Sequence, residues 1–321
     1  MSANGFTVLK PGVLSLLQDS GRYGSHRLGL TSGGPMDSES FYWANRLCEN
    51  SPSATAIEIS VGGLELVANT NTVVALAGAD MPFSINGKQK SLWRTHRVMV
   101  GDKLVIGFAT QGSRSYFAVA GGFAIVPQFG STSTVVRENV GGISGAALAA
   151  NDLLPCQAHS IDYLLRLDES ARISFTRTIT LRVVLGYQYR YFNHDQQQRF
   201  FASSYQLSAG SDRMGYRLQG PKVNIDAEDD GNDAVALLSE GICLGAIQIP
   251  ADGQPIILLS DRQTIGGYPK LGAVISSDLP RLGQLSPGAK IKFEAVNIEQ
   301  AQRLFREYDQ KLNDVVLQRV G

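Results

Sequence analysis

The sequence predicts a mainly β protein built from two related barrels, with a few short helices and one helix at the C-terminus. Short β-type apolar runs recur along the chain, at 73–77, 98–100, 104–108, 116–119, 173–175 and 181–185. Thirty-four glycines among 321 residues supply the tight turns between such runs. Helical periodicity is scarce, and several short motifs return in the same order in the second half.

In chain order, the first motif is Gln18-Asp19-Ser20-Gly21-Arg22-Tyr23-Gly24. Arg offers a planar fork of donors and Asp only accepts, so this turn can orient a substrate amide or carboxylate. A turn-stabilising ion pair is the other reading. Ser32-Gly33-Gly34-Pro35-Met36-Asp37 then leads into a helix in which Phe41, Ala44, Leu47 and Cys48 recur at helical spacing. Amides freed by two glycines can hold an anion, but Pro35 removes a donor and Asp37 supplies a cap, which favours plain capping. Asn45, on the polar side, suits a ligand or a neighbouring loop.

Four echoes make the repeat. Asp19 to Arg22, with Arg27-Leu28 behind, matches Ser211-Asp212-Arg213-Met214-Gly215 with Arg217-Leu218 behind. Glu58 and Gly63 match Glu240 and Gly245; Gly78-Ala79-Asp80 matches Ser260-Asp261; Gly101-Asp102-Lys103 matches Gly288-Ala289-Lys290. One match is expected by chance in a Gly-rich β sequence, four in order less so. The predicted organisation is a first barrel over 1–110, a connecting segment over 111–180 that completes it, a second barrel over 181–296, and a helix over 297–321. That helix carries Ile298, Ala301, Leu304, Phe305, Tyr308, Leu312 and Val315 on one face.

The stretch 245–270 organises the second half. Apolar runs at 246–249 and 256–259 flank Pro250-Ala251-Asp252-Gly253-Gln254-Pro255, which predicts a hairpin. The second run opens into Ser260, Asp261, Arg262, Gln263 and Thr264, followed by Gly266, Gly267 and Tyr268. So many polar groups at the mouth of an apolar strand need partners, and either a ligand at a barrel rim or a hydrogen-bonded corner supplies them. Glu58, Glu240 and Asp261 sit beside apolar strands, where burial would raise a carboxyl pKa toward acid–base use; for Glu58 and Glu240, structural carboxylates satisfied by backbone amides are the other reading.

Twenty-nine basic residues balance twenty-nine acidic ones, so no global field draws nucleic acid or an anionic membrane. The three cysteines, Cys48, Cys156 and Cys243, show no metal spacing and fit a reducing compartment. The four histidines form no metal pattern, and no metal site is expected. The N-terminus lacks a signal-peptide pattern, and no apolar run approaches membrane-spanning length, so a cytoplasmic protein is expected. Neither a nucleophile elbow nor a P-loop occurs.

The motifs quoted above, together with Gln18–Gly24, Gly33-Gly34-Pro35-Met36-Asp37 before Ala44-Asn45, Ala120-Gly121-Gly122, Ser211–Leu218 and the 245–270 stretch, resemble the biotin-dependent carboxyltransferase family. That family is also called allophanate hydrolase subunit 2, urea amidolyase-related protein or the 5-oxoprolinase C subunit. The resemblance covers about residues 7–296 and implies two cyclophilin-like barrels. Where the family pattern has arginines, this chain carries Thr132 and Ala146.

The resemblance further implies one member of an ATP-dependent 5-oxoprolinase-type complex that opens 5-oxo-L-proline to L-glutamate. A companion of the allophanate hydrolase subunit 1 or 5-oxoprolinase B-subunit type, and another of the 5-oxoprolinase A-subunit type, would complete it. ATP is the expected cofactor of the complex, with no site locatable in this chain. One alternative is carboxyl transfer from biotin, carried on another protein, to urea or a related amide. The other is a non-catalytic regulatory partner of the companion protein. Within the hydrolase reading, Asp261, Thr264 and Tyr268 are the expected catalytic groups. Arg213, Arg22, Asp19, Gln248, Gln254, Gln263, Gly266, Gly267 and Asn45 are the expected substrate contacts. Alanine at Asp261 is expected to abolish turnover while leaving the melting temperature nearly intact.

Overall fold

The structure, a computed structural model, describes residues 4–224 and 238–320. The chain divides into two compact units: Met1–Ser25, Ser32–Phe175 and Val315–Gly321 form one, and His26–Thr31 with Thr176–Asp314 form the other.

The first unit contains β1 (Gly5–Pro11), β2 (Leu14–Gln18), β3 (Ala56–Ser60), β4 (Leu64–Ala68), β5 (Thr72–Asp80), β6 (Phe83–Ile85), β7 (Lys88–Lys90), β8 (Thr95–Val98), β9 (Lys103–Ile106), β10 (Gln111–Val119), β11 (Leu153–Pro155) and β12 (Leu164–Arg166). Eleven of them form two sheets, ordered β11-β1-β4-β9-β6-β7 and β2-β3-β10-β5-β8, and β12 stands apart from both. Phe6, Leu66, Phe83 and Leu104 of the first sheet and Ile57, Leu76 and Phe117 of the second belong to one buried core. Phe6 and Phe117 meet edge to face at 5.7 Å. The segment from residue 111 supplies β10, which lies between β3 and β5.

β5 is an uninterrupted apolar run because both of its faces are covered: the core lies on one, and α1 (Ser38–Leu47) packs near it. Asp37 caps α1 by accepting bonds from the Glu39 and Ser40 amides, each at 3.0 Å.

The second unit contains β13 (Thr178–Leu185), α2 (His194–Ala202), β14 (Tyr205–Leu207), β15 (Gly215–Gln219), β16 (Glu240–Gly241), β17 (Ala246–Gln248), β18 (Ile256–Leu258), β19 (Ile265–Gly266), β20 (Lys270–Val274), α3 (Leu279–Gly283), β21 (Lys290–Val296) and α4 (Ile298–Asp314). Seven of these strands close a barrel in the order β13-β20-β17-β18-β15-β14-β21, and β13 pairs with β21 in parallel. The predicted hairpin forms: β17 and β18 are antiparallel, with Ile247 opposite Ile257. Phe200 of α2 stacks on Phe293 of β21 at 4.4 Å. Gly245 precedes β17 at φ 82°, and a Cβ there would lie 2.8 Å from the Val274 carbonyl oxygen, so glycine is required. The C-terminal helix leaves much of its apolar face open: Ile298 and Phe305 are exposed and only Ala301 is buried. The chain ends in β22 (Gln318–Val320), paired with β12 of the first unit.

Candidate functional site

The polar cluster of the second unit grows from strand register. β17 sets Gln248 opposite Lys270 of β20, and β16 sets Glu240 opposite Gly266 of β19. Lys270 Nζ then reaches Glu240 Oε1 at 2.7 Å. The Tyr187 hydroxyl donates to Glu240 Oε2. Gln188, buried, donates through Nε2 to Glu240 Oε1 at 2.9 Å, while its Oε1 accepts the Lys270 amide at 2.8 Å. The bond from Lys270, followed by that from Tyr187, holds the Glu240 carboxyl below the usual carboxylate range. The same carboxylate pushes the Tyr187 phenol up. The cluster therefore presents an ionised carboxylate and a protonated phenol at neutral pH, with Lys270 Nζ beside the carboxylate.

Gln248 is the second feature. Its side chain is 1 % exposed, its Oε1 accepts Gln263 Nε2 at 3.3 Å, and its buried Nε2 has no hydrogen-bond partner among the described residues. A buried amide N–H without an acceptor costs about 1–3 kcal/mol, so such a donor points to a missing acceptor. Gly266 keeps the space beside it open: a Cβ at that position would lie 3.1 Å from Gln248 Nε2 and 2.7 Å from Ile242 Cδ1. Gly266→Ala should push only the flexible tip of Ile242 aside yet close the approach to Gln248. We expect turnover in the assembled complex to fall about tenfold or more with little change in melting temperature. Unchanged turnover would remove Gln248 from the site.

Asp261 and Arg213 do something else. Arg213 Nε donates to Asp261 Oδ2 and Nη2 to Oδ1, both at 2.9 Å, and the Asp261 amide bonds the Arg213 carbonyl at 2.9 Å. Both side chains are buried, so the pair is a bidentate clamp joining the approach to β15 with the exit of β18. Arg262 is drawn inward as well, its Nε donating to the Ile242 carbonyl at 3.1 Å. Thr264 serves this corner through its carbonyl, which accepts the Ile242 amide at 3.0 Å. Gly267 carries the chain on to Tyr268, whose ring is exposed and whose carbonyl lies 3.4 Å from Lys270 Nζ. Gln254 instead grips the backbone of Gly220, accepting its amide at 2.9 Å and donating to its carbonyl at 3.1 Å.

The first-unit residues are built into the scaffold. Asp19 accepts the Ser131 and Ser133 hydroxyls at 2.6 Å, the Thr132 amide at 2.7 Å and the Gly21 amide at 2.9 Å. Arg22 donates to the carbonyls of Gln128 at 3.1 Å and Ser133 at 3.0 Å. Both therefore hold the 128–134 loop. Asn45 donates to the Ala54 carbonyl at 3.0 Å and accepts from Asn50. Glu58, fully buried, accepts the Met36 amide at 2.9 Å and the Tyr116 hydroxyl at 2.7 Å. Thr132 meets Thr55 hydroxyl to hydroxyl at 2.7 Å.

Burial raises the Asp19 pKa, but the two serine hydroxyls and two amides outweigh it and hold the carboxyl below its ordinary value of 3.8. A depressed folded pKa stabilises the fold above the unfolded value, and that stability is lost as pH falls through the folded one. Asp19→Asn should cost about 2 kcal/mol at neutral pH. In denaturant unfolding, the gap from wild type should narrow as pH drops below 3.8.

A family model for the carboxyltransferase domain, subdomains A and B, matches residues 28–295. The chain belongs to this family. This carboxyltransferase-domain chain is 33 % identical over 299 residues to the 5-oxoprolinase C subunit of Haemophilus influenzae, covering 93 % of the chain and 94 % of that protein. It is 31 % identical over 321 residues to the urea amidolyase of Lachancea kluyveri, covering 95 % of the chain but 18 % of that protein. Among solved structures, the K. lactis urea amidolyase superposes with a TM-score of 0.90 at 29 % identity, over 98 % of the chain and 20 % of that protein. The chain thus spans nearly the whole of one relative and about a fifth of the others.

Within the matched region of the carboxyltransferase-domain chain, Gln248 lies beside both Gln263 and Gly266. Lys270, Tyr187 and Gln188 were not foreseen. Lys270 closes the 245–270 stretch and could have been included on position alone; Tyr187-Gln188 carries no local signature. No helix of the described residues is long and apolar enough to cross a membrane, which says nothing of strands.

Proposed function

We propose that this chain is the C component of a 5-oxoprolinase-type complex, in which it binds the lactam and places its carbonyl for hydrolysis to L-glutamate. The unpartnered Gln248 amide beside Gly266 carries the reading, because a lactam carbonyl is the acceptor that donor lacks. Lys270 keeps N–H capacity beyond its bond to Glu240, enough to hold the carboxylate of 5-oxoproline. Glu240, kept ionised, and Tyr187, kept protonated, can accept and return the proton that moves when the C–N bond breaks. The near full-length match to a 5-oxoprolinase C subunit supports the substrate class.

ATP would supply activation of the amide oxygen in the complex. The helix entered through Gly33-Gly34 bonds its own amides to Asp37, which leaves no phosphate cradle there. No step here passes through the nucleotide. The urea amidolyase likeness favours carboxyl transfer from a biotin carried elsewhere as the second reading. The deciding assay is ATP-dependent glutamate formation from 5-oxoproline by the co-expressed complex, with this chain present and omitted. Glutamate formed only when the chain is present supports the proposal. Glutamate formed equally well without it sinks the proposal. An inactive assembled complex that carboxylates urea from carboxybiotin establishes the second reading.

A further inference from the structure

A separate feature lies wholly within the first unit. An isolated antiparallel bridge sets Arg94 directly opposite Arg166. The Leu167 amide bonds the Trp93 carbonyl at 2.9 Å beside this bridge, the pattern of a non-hydrogen-bonded pair, whose side chains approach most closely. Like charges placed directly opposite destabilise a sheet. Both arginines line a cavity of about 680 Å³, together with Lys90 and Arg172.

Nothing in the described residues neutralises this group fully. Arg94 has no ion-pair partner among them, and its buried Nε has no hydrogen bond. The buried Arg172 Nε is likewise unpartnered, and its Nη1 lies 3.5 Å from a Glu169 whose side chain is 88 % exposed. Arg166 donates to the neutral Gln318 and is attracted by the Asp168 carboxylate, which lies outside the cavity wall. The other wall carboxylate, Asp80, accepts the Thr110 hydroxyl at 2.8 Å. Four cations thus face two carboxylates across this cleft, an excess of positive charge that favours an anion. Trp93, buried beside them, is held at φ 60°, a conformation that costs a bulky residue free energy and that clusters at ligand sites.

We propose that this cavity is a binding site for a small organic anion, its carboxylate or phosphate group held between Arg94, Arg166 and Arg172 and its carbon body resting on Trp93 and Phe175. Guanidinium forks match both oxyanions in bidentate geometry, so the shared chemistry is that of a planar or tetrahedral oxyanion.

Calorimetric titration of the full chain with inorganic phosphate and with malonate, at ionic strength matched with chloride, tests the site. At least one anion should bind above the chloride background, and Arg94→Met should weaken it about tenfold or more. Arg303→Met, on the exposed face of α4, should leave binding unchanged. In the absence of either anion, Arg94→Met should melt no lower than wild type, since it removes a like-charge contact. Tighter phosphate binding assigns a phosphoryl ligand, and tighter malonate binding a carboxylate. Arg166→Gln provides the same test should Arg94→Met fail to fold. Absence of binding by both anions, or equal affinity in wild type and the folded arginine variants, overturns the proposal.

Discussion

Lys270→Met is expected to lower glutamate formation by the assembled complex about 10²-fold or more, with a melting temperature within a few degrees of wild type. Lys270 Nζ is the first partner of Glu240 and lies across the strand pair from Gln248, so one substitution removes the cation from both halves of the cluster. Glu240 retains Tyr187 and Gln188 as partners and is partly exposed, so the structural cost should stay near 1 kcal/mol. Lys270→Arg restores the charge but not the compact ammonium, and should recover only part of the rate. Activity close to wild type in Lys270→Met, or a rate loss that merely follows unfolding, would rule out the cluster as the reacting site.

Asp261→Ala should instead act on the fold. The Arg213–Asp261 clamp is buried on both sides, and removing one member of such a pair costs about 3–5 kcal/mol. For a unit of this size that lowers the melting temperature by roughly 10 °C or more. This reverses the outcome expected from the sequence, in which Asp261 is catalytic and thermally silent. Thermal and urea unfolding of Asp261→Ala and Asp261→Asn decide between the two. A loss of turnover in a variant that melts like wild type would return Asp261 to catalysis. The double change Arg213→Met with Asp261→Leu removes both charges together and should recover much of the lost stability.

Positions that echo each other in sequence serve different ends in the fold. Glu58 and Glu240 echo each other in sequence, and each meets a tyrosine hydroxyl. Glu58 is sealed beneath α1 with the Met36 amide and Tyr116, whereas Glu240 stays partly open beside Lys270 and Tyr187. Arg22 and Arg213 diverge in the same way, one stitched to loop carbonyls and the other to a carboxylate. No pattern within the motifs themselves separates these fates, because burial is set by what packs over each strand.

Local and periodic features were legible in the sequence: the mainly β class from short apolar runs, the Asp37 cap, the hairpin at 245–259, and a paired organisation from ordered echoes. Each depends on residues a few positions apart, whose backbone preferences act without the rest of the chain. Which polar groups meet was settled by the fold. Gln188 lies 82 positions from Lys270 and 52 from Glu240, and Arg213 lies 48 from Asp261. Barrel closure and strand register bring them together, and a shift of one residue in register would turn the strand residues Glu240 and Lys270 to the opposite face. A polar residue at a strand mouth announces that it needs a partner; only the fold determines whether that partner is an arginine of the same chain, as for Asp261, or is not found among the described residues, as for Gln248 Nε2.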